Sequence, residues 1–223
     1  MITQVKKWVT DHPVWFAILF FIFYFTGFFT LEHLVTEPVY LLHCGLDDLI
    51  PFNEWFIFPY ASWFVLIPWA LITLLLFDRK NYFYLCGVMF SGMALCLLLY
   101  LIFPNGVDLR PQSIESSNIA ATFVRMIWSA DTSTNVCPSI HVASTFAIFL
   151  AVQRSRIWKH RKLVVGICGV LTVMICLSTL FLKQHSVIDV VCGIALSTVL
   201  HFVFRRTGER EQAVLCRLGE NEG

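Results

Sequence analysis

With 223 residues, of which 57% are hydrophobic, 15% aromatic and only 14% charged, the chain is too apolar and too poor in charge for a water-soluble domain or a disordered segment. It reads as an integral membrane protein, and at about 20 apolar residues per crossing its length excludes more than about eight spans. A formal net charge of +1 leaves no electrostatic footprint for nucleic acid, and eight cysteines scattered singly lack the paired spacing of a zinc site or a secreted disulfide framework.

Six apolar runs follow in chain order, at 14–31, 55–77, 82–103, 138–153, 163–182 and 186–204. Each is near the length that a hydrocarbon layer of about 30 Å demands of a helix. The expected fold is therefore an all-α, six-transmembrane helix bundle, one domain over 1–223 with no repeat or linker. Lys6 and Lys7 precede the first run as they would a secretory signal, but the run is longer than a signal core and no A-x-A site follows, so it is expected to be a permanent span. Thirteen of the sixteen Lys and Arg residues, among them Arg79, Lys80, the 154–162 cluster, Arg206, Arg210 and Arg217, fall on one side of this arrangement. Only Arg110, Arg125 and Lys183 fall on the other, so the positive-inside rule predicts cytoplasmic termini and extracytoplasmic loops at 32–54, 104–137 and 183–185.

The loop after the first run holds Asp47, Asp48 and Glu54, expected to be solvated, and Cys44, which like Cys137 is expected to be structural. The next outer loop holds Arg110 and an amphipathic stretch, I-A-A-T-F-V-R-M-I-W, whose Arg125 is expected to pair with Glu115 or Asp131. The fourth run opens on N-V-C-P-S-I-H at 135–141. Proline suits a first helical turn there and Asn135 a cap. A phosphate can sit against such a helix start, with the Ser139 hydroxyl as a further donor and His141 aimed at an oxygen; taken singly, His141 equally suits an interfacial hydrogen bond. Across the six runs the one formally charged side chain is Asp189, and an acid within a membrane is a site hypothesis by default. His185 lies four residues earlier, so on a helix the two share a face. The pair alone fits a structural link at a helix end as well as a catalytic one.

Three segments resemble the signatures of the type 2 phosphatidic acid phosphatase superfamily, K-x6-R-P, P-S-G-H and S-R-x5-H-x3-D. They read F-P-N-G-V-D-L-R-P at 103–111, P-S-I-H at 138–141 and S-T-L-F-L-K-Q-H-S-V-I-D at 178–189. The first-signature lysine corresponds to Phe103, the second-signature glycine to Ile140 and the third-signature arginine to Thr179; Lys183 is the obvious replacement cation. The S-T-x4-K-Q-H stretch, with D-D-L-I-P-F-N-E-W-F-I-F-P-Y at 47–60, is similar to the inositol phosphorylceramide synthase-like branch.

The resemblance implies a membrane-embedded lipid phosphatase acting on a phosphatidic acid-like lipid or lipid pyrophosphate at the extracytoplasmic face. His185 would be the nucleophile that forms a phosphohistidine, with Asp189 holding its tautomer and His141 as general acid. Arg110, Lys183, Ser139 and the helix-start amides around Ile140 would bind the phosphoryl oxygens. No cofactor or metal is implied, because the cations beside the histidines oppose a bound metal. Two alternatives stay open, a lipid phosphotransferase with an alcohol acceptor and a non-catalytic transporter or pseudoenzyme.

Overall fold

The computed structural model describes residues 2–220, with side chains over 4–205. A short helix α1 (Ile2–Asp11) leads through His12 into α2 (Pro13–Leu34), whose proline occupies the first turn, where its missing N–H costs nothing. A five-residue helix α3 (Gly45–Leu49) and a 3₁₀ turn (Glu54–Phe56) precede α4 (Ile57–Phe77). Then come α5 (Arg79–Ile102), the amphipathic α6 (Ile119–Ala130), α7 (Ile140–Arg154), α8 (Arg161–Phe181) and α9 (Val187–Glu220).

Five helical segments are long and apolar enough to cross a membrane: Pro13–Leu34, Glu54–Phe77, Arg79–Ile102, Arg161–Phe181 and Val187–Arg205. They are the helices of a multi-pass membrane protein. The fourth apolar run differs from expectation. Its helix α7 has 15 residues, about 22 Å at 1.5 Å per residue, short of a full crossing by length. The reason lies in its surroundings, because α7 packs against α4, α5, α8 and α9. Val142, Ala143, Ala147, Ile148, Ala151 and Val152 are all buried, and such small side chains let neighbouring backbones approach closely. Gly193 shows the same constraint from α9: a Cβ there would stand 2.9 Å from the Ser139 carbonyl.

Three further expectations change. The first helix runs on to Leu34, so Asp189 is not the only acid within these long helices; Glu32 joins it, nearly buried at 9% exposure. The chain is not purely helical, since the segments that follow α2 and α5 pair β1 (Tyr40–Leu41) in parallel with β2 (Asn105–Gly106). The last helix continues past residue 204, and the side chains of Arg206, Arg210 and Arg217 lie outside the described residues. Cys44 and Cys137 are both free thiols.

Candidate active site

The turn that carries His185 is built by its sequence neighbours. Helix α8 ends in a Schellman motif, with Lys183 N donating to the Leu180 carbonyl at 3.0 Å and Gln184 N to the Thr179 carbonyl at 3.0 Å. That motif needs a left-handed residue, and Lys183 supplies it at φ 56°, a conformation costing a non-glycine residue about 1–2 kcal/mol. Three residues later Ser186 stands just before α9 as its cap. Asp189 Oδ2 accepts from Ser186 N at 2.8 Å, closing the carboxylate half of a capping box. The same oxygen lies 3.3 Å from His185 Nδ1. One carboxylate thus caps the helix and holds the imidazole, which leaves Nε2 as the other ring nitrogen.

Asp47 anchors this turn from α3, in the segment between α2 and α4, where a solvated residue was expected. It is 2% exposed. Its carboxylate accepts from Ser186 Oγ at 2.7 Å, Val187 N at 2.8 Å and Cys44 N at 2.8 Å, and its carbonyl accepts from Lys183 Nζ at 2.8 Å. Burial would raise its pKa, but the hydrogen bonds from Ser186, Val187 and Cys44 outweigh it and hold the carboxyl below its ordinary value. Asp48 does stay exposed, bonded to His43, and Glu54 accepts from Asn118 at 3.1 Å.

The N-terminus of α7 is clamped just as closely. Asn105 Oδ1 accepts from Val136 N at 3.0 Å and Cys137 N at 2.7 Å, and Tyr100 donates its hydroxyl to the Pro138 carbonyl at 2.6 Å. Ser139, not Asn135, is the N-cap, its Oγ accepting from Val142 N. This sets His141 one residue into the helix, between Tyr60 and Trp63 at ring-centroid distances of 4.7 and 4.5 Å and 5.8 Å from the His185 ring.

Both histidines open onto one chamber of about 250 Å³, with Ile140, Asp131 and Gln184 beside them and aromatic residues of α2 and α4 as its walls. Asp189 stands behind His185, whereas Arg110, Lys183 and Ser139 do not line the chamber. Arg110 lies over the Trp128 ring at 5.2 Å, donates to the carbonyls of Asp131 at 2.8 Å and Thr132 at 3.0 Å, and also bonds Gln184. Among the described residues neither Arg110 nor Lys183 makes an ion pair, although the field of Asp131 and Glu32 reaches Arg110. Arg125 is not paired with an acid either. Its Nη1 donates to the carbonyls of Ile114 and Ser116, well within reach because that loop folds back on α6.

Asp131, Tyr60 and Gln184 were not anticipated as site residues. Asp131 Oδ2 accepts from the Tyr60 hydroxyl at 3.2 Å and from Gln184 Nε2 at 3.1 Å. Burial pushes its carboxyl up to about 6, with Glu32 adding to the rise and His185 and Arg110 opposing it. Glu32 in turn accepts from Thr132 Oγ1 at 2.7 Å and Asn135 Nδ2 at 3.3 Å. The only sequence signal for this cluster is the acid at the end of the amphipathic stretch.

Chemically, two imidazoles facing one apolar chamber, one of them backed by a carboxylate, suit nucleophilic attack by one ring and proton transfer by the other. Residues 81–212, more than half of the chain, match the family model described as PAP2 superfamily. No curated protein and no solved structure matches the chain.

Proposed function

Because the chain belongs to the PAP2 superfamily, whose members are usually phosphoric ester hydrolases, we propose that it is a membrane-embedded lipid phosphatase working through a phosphohistidine. One observation carries the reading: the His141 and His185 rings lie 5.8 Å apart on a shared chamber, with Asp189 on Nδ1 of His185. His185 Nε2 attacks phosphorus as the bond to the lipid alcohol breaks, and His141 gives that alcohol its proton. Water then attacks the phosphohistidine, His141 takes its proton, and inorganic phosphate leaves. Asp189 is a positioning residue that fixes the Nδ1–H tautomer and stabilises the charge developing on the ring. Arg110 and Lys183, bonded to carbonyls and not to acids, supply positive field for the phosphoryl oxygens, and Ser139 with the amides at Ile140 adds the helix-start dipole.

In this reading α7 is a sixth, protein-enclosed span, both termini are cytoplasmic and the chamber opens on the extracytoplasmic side. The cation asymmetry supports that orientation. The substrate class is a phosphatidic acid-like lipid or a lipid pyrophosphate.

A second reading, phosphoryl-headgroup transfer to an alcohol as in the inositol phosphorylceramide synthase-like branch, is favoured by one contact. The two stretches carrying that resemblance meet where Lys183 Nζ donates to the Asp47 carbonyl at 2.8 Å. Product partition separates the readings. Purified protein in detergent, given labelled lipid phosphate alone and then with inositol, glycerol or diacylglycerol, is expected to release inorganic phosphate in every case. A phosphomonoester of the added alcohol as main product would favour transfer, and no product from any pairing would defeat both.

A further inference from the structure

Three cavities share walls. The histidine chamber meets a second cavity, of about 200 Å³, at Tyr24, Phe25, Trp63 and Phe64. The second meets a third, of about 550 Å³, at Phe21, Phe25, Pro68 and Leu71, and the third runs on to Val14 and Tyr82. Together they form one trough along the seam of α2 and α4. These two helices each pack on α5 and scarcely on one another, so the seam opens sideways to the bilayer. The Tyr82 hydroxyl closes the far end by donating to the Pro13 carbonyl at 2.7 Å. Beyond the histidine chamber the walls carry no charged side chain. From Phe28 at the chamber to Val14 the trough follows α2 for about 21 Å at 1.5 Å per residue, more than the roughly 15 Å depth of one leaflet.

We propose that this trough binds the hydrocarbon chain of the substrate. A lipid phosphate enters laterally between α2 and α4, its headgroup reaches the histidines, and one chain longer than a leaflet is deep lies along α2. The headgroup half of this statement rests on the phosphatase reading above, whereas the trough is defined by packing alone. Since the chain moves from lipid hydrocarbon to protein hydrocarbon, there is no hydrophobic drive to distinguish substrates. Selection comes from fit, and an obstacle at the far end excludes long chains while sparing short ones.

Ile18 on α2 and Leu75 on α4 both line the third cavity. Ile18→Trp and Leu75→Trp are each expected to lower kcat/KM for hexadecyl phosphate by about tenfold, as one overpacked contact does, and to leave octyl phosphate unchanged. Ile167→Trp, in a separate groove between α4 and α8 that shares no wall with the chamber, should change neither. Equal losses on both chain lengths, or no loss on either, would overturn the proposal. A direct reading uses hexadecyl phosphate bearing a diazirine on its terminal carbon, photolysed with wild type and with His185→Ala. Adducts are expected on 14–22 and 68–75, and adducts confined to α8 or spread evenly over the outer helix faces would overturn the assignment. If those adducts form but no lipid phosphate is turned over, the phosphatase reading fails and the trough stands. If turnover proceeds without regard to chain length or obstacle, the trough fails and the phosphatase reading stands.

Discussion

Replacing Asp47 by alanine removes the acceptor for three donors: Ser186 Oγ, Val187 N and Cys44 N. Cys44 is only half-buried, so its N–H can turn to water. Ser186 is fully buried and Val187 partly so, and each buried donor left unsatisfied costs about 1–3 kcal/mol. The expected destabilisation is roughly 4 kcal/mol, which for a chain of this size lowers Tm by about 8–16 °C. Asp47→Asn keeps one acceptor oxygen and should fall about half as far. The carboxyl lies below its ordinary value of 3.8 in the folded protein, so its contribution is full above that pH and is lost as pH falls through the lowered folded value. The stability difference between wild type and Asp47→Asn should therefore close only in acid. Since the same side chain braces the 183–186 turn, misplacement of His185 should also cost about tenfold to a hundredfold in kcat. Thermal unfolding in detergent and phosphate release, measured on the same preparations, read both effects. An Asp47→Ala protein melting within about 2 °C of wild type with full activity would refute the argument that this residue holds the turn.

His141→Ala should nearly abolish turnover of lipid esters yet be much milder on a nitrophenyl phosphate, whose leaving group scarcely needs a proton; equal losses on both would remove His141 from the acid role. Asp131, with its carboxyl raised from 3.8 to about 6, holds its proton more tightly folded than unfolded. Native stability should accordingly fall as pH climbs from about 4 to about 6, and Asp131→Asn should flatten that slope in a melting series, whereas an unchanged slope would contradict its burial among Tyr60 and Gln184. Gln112 and His160 are both exposed. In a cysteine-depleted background, a cysteine at 112 should react with an impermeant reagent from outside and one at 160 should not, and the reverse pattern would invert the proposed orientation.

Much of this was legible in the primary structure, and the gaps have physical causes. The long helices announce themselves because lipid demands about 20 apolar residues in succession. The His185–Asp189 pair is legible from its four-residue spacing, but His185 lies in the turn before α9 and not on its face, and the two meet through the carboxylate that caps the helix. Helix α7 was placed correctly, but its shortness follows from enclosure by α4, α5, α8 and α9, which no local pattern encodes. Asp47 was misread for a similar reason: an acid in a polar loop looks solvated until it is seen 2.7 Å from Ser186, 139 residues away in sequence. Asp131, Tyr60 and Gln184 come from three separate elements and meet only in the folded bundle. Arg125 illustrates the opposite error, since a charged residue was matched to an acid when nearby carbonyls satisfy it.

The claim that His185 becomes covalently phosphorylated is open to one direct measurement. Purified protein is mixed with a lipid phosphate labelled in its phosphoryl group, quenched within a turnover in alkali, digested and mapped. The account predicts a phosphoryl group that is stable in alkali and labile in acid, carried by the peptide containing His185, chased by water in wild type and absent from a His185→Ala protein that still folds. Label on Ser139 or His141, or full turnover by His185→Ala, would contradict it.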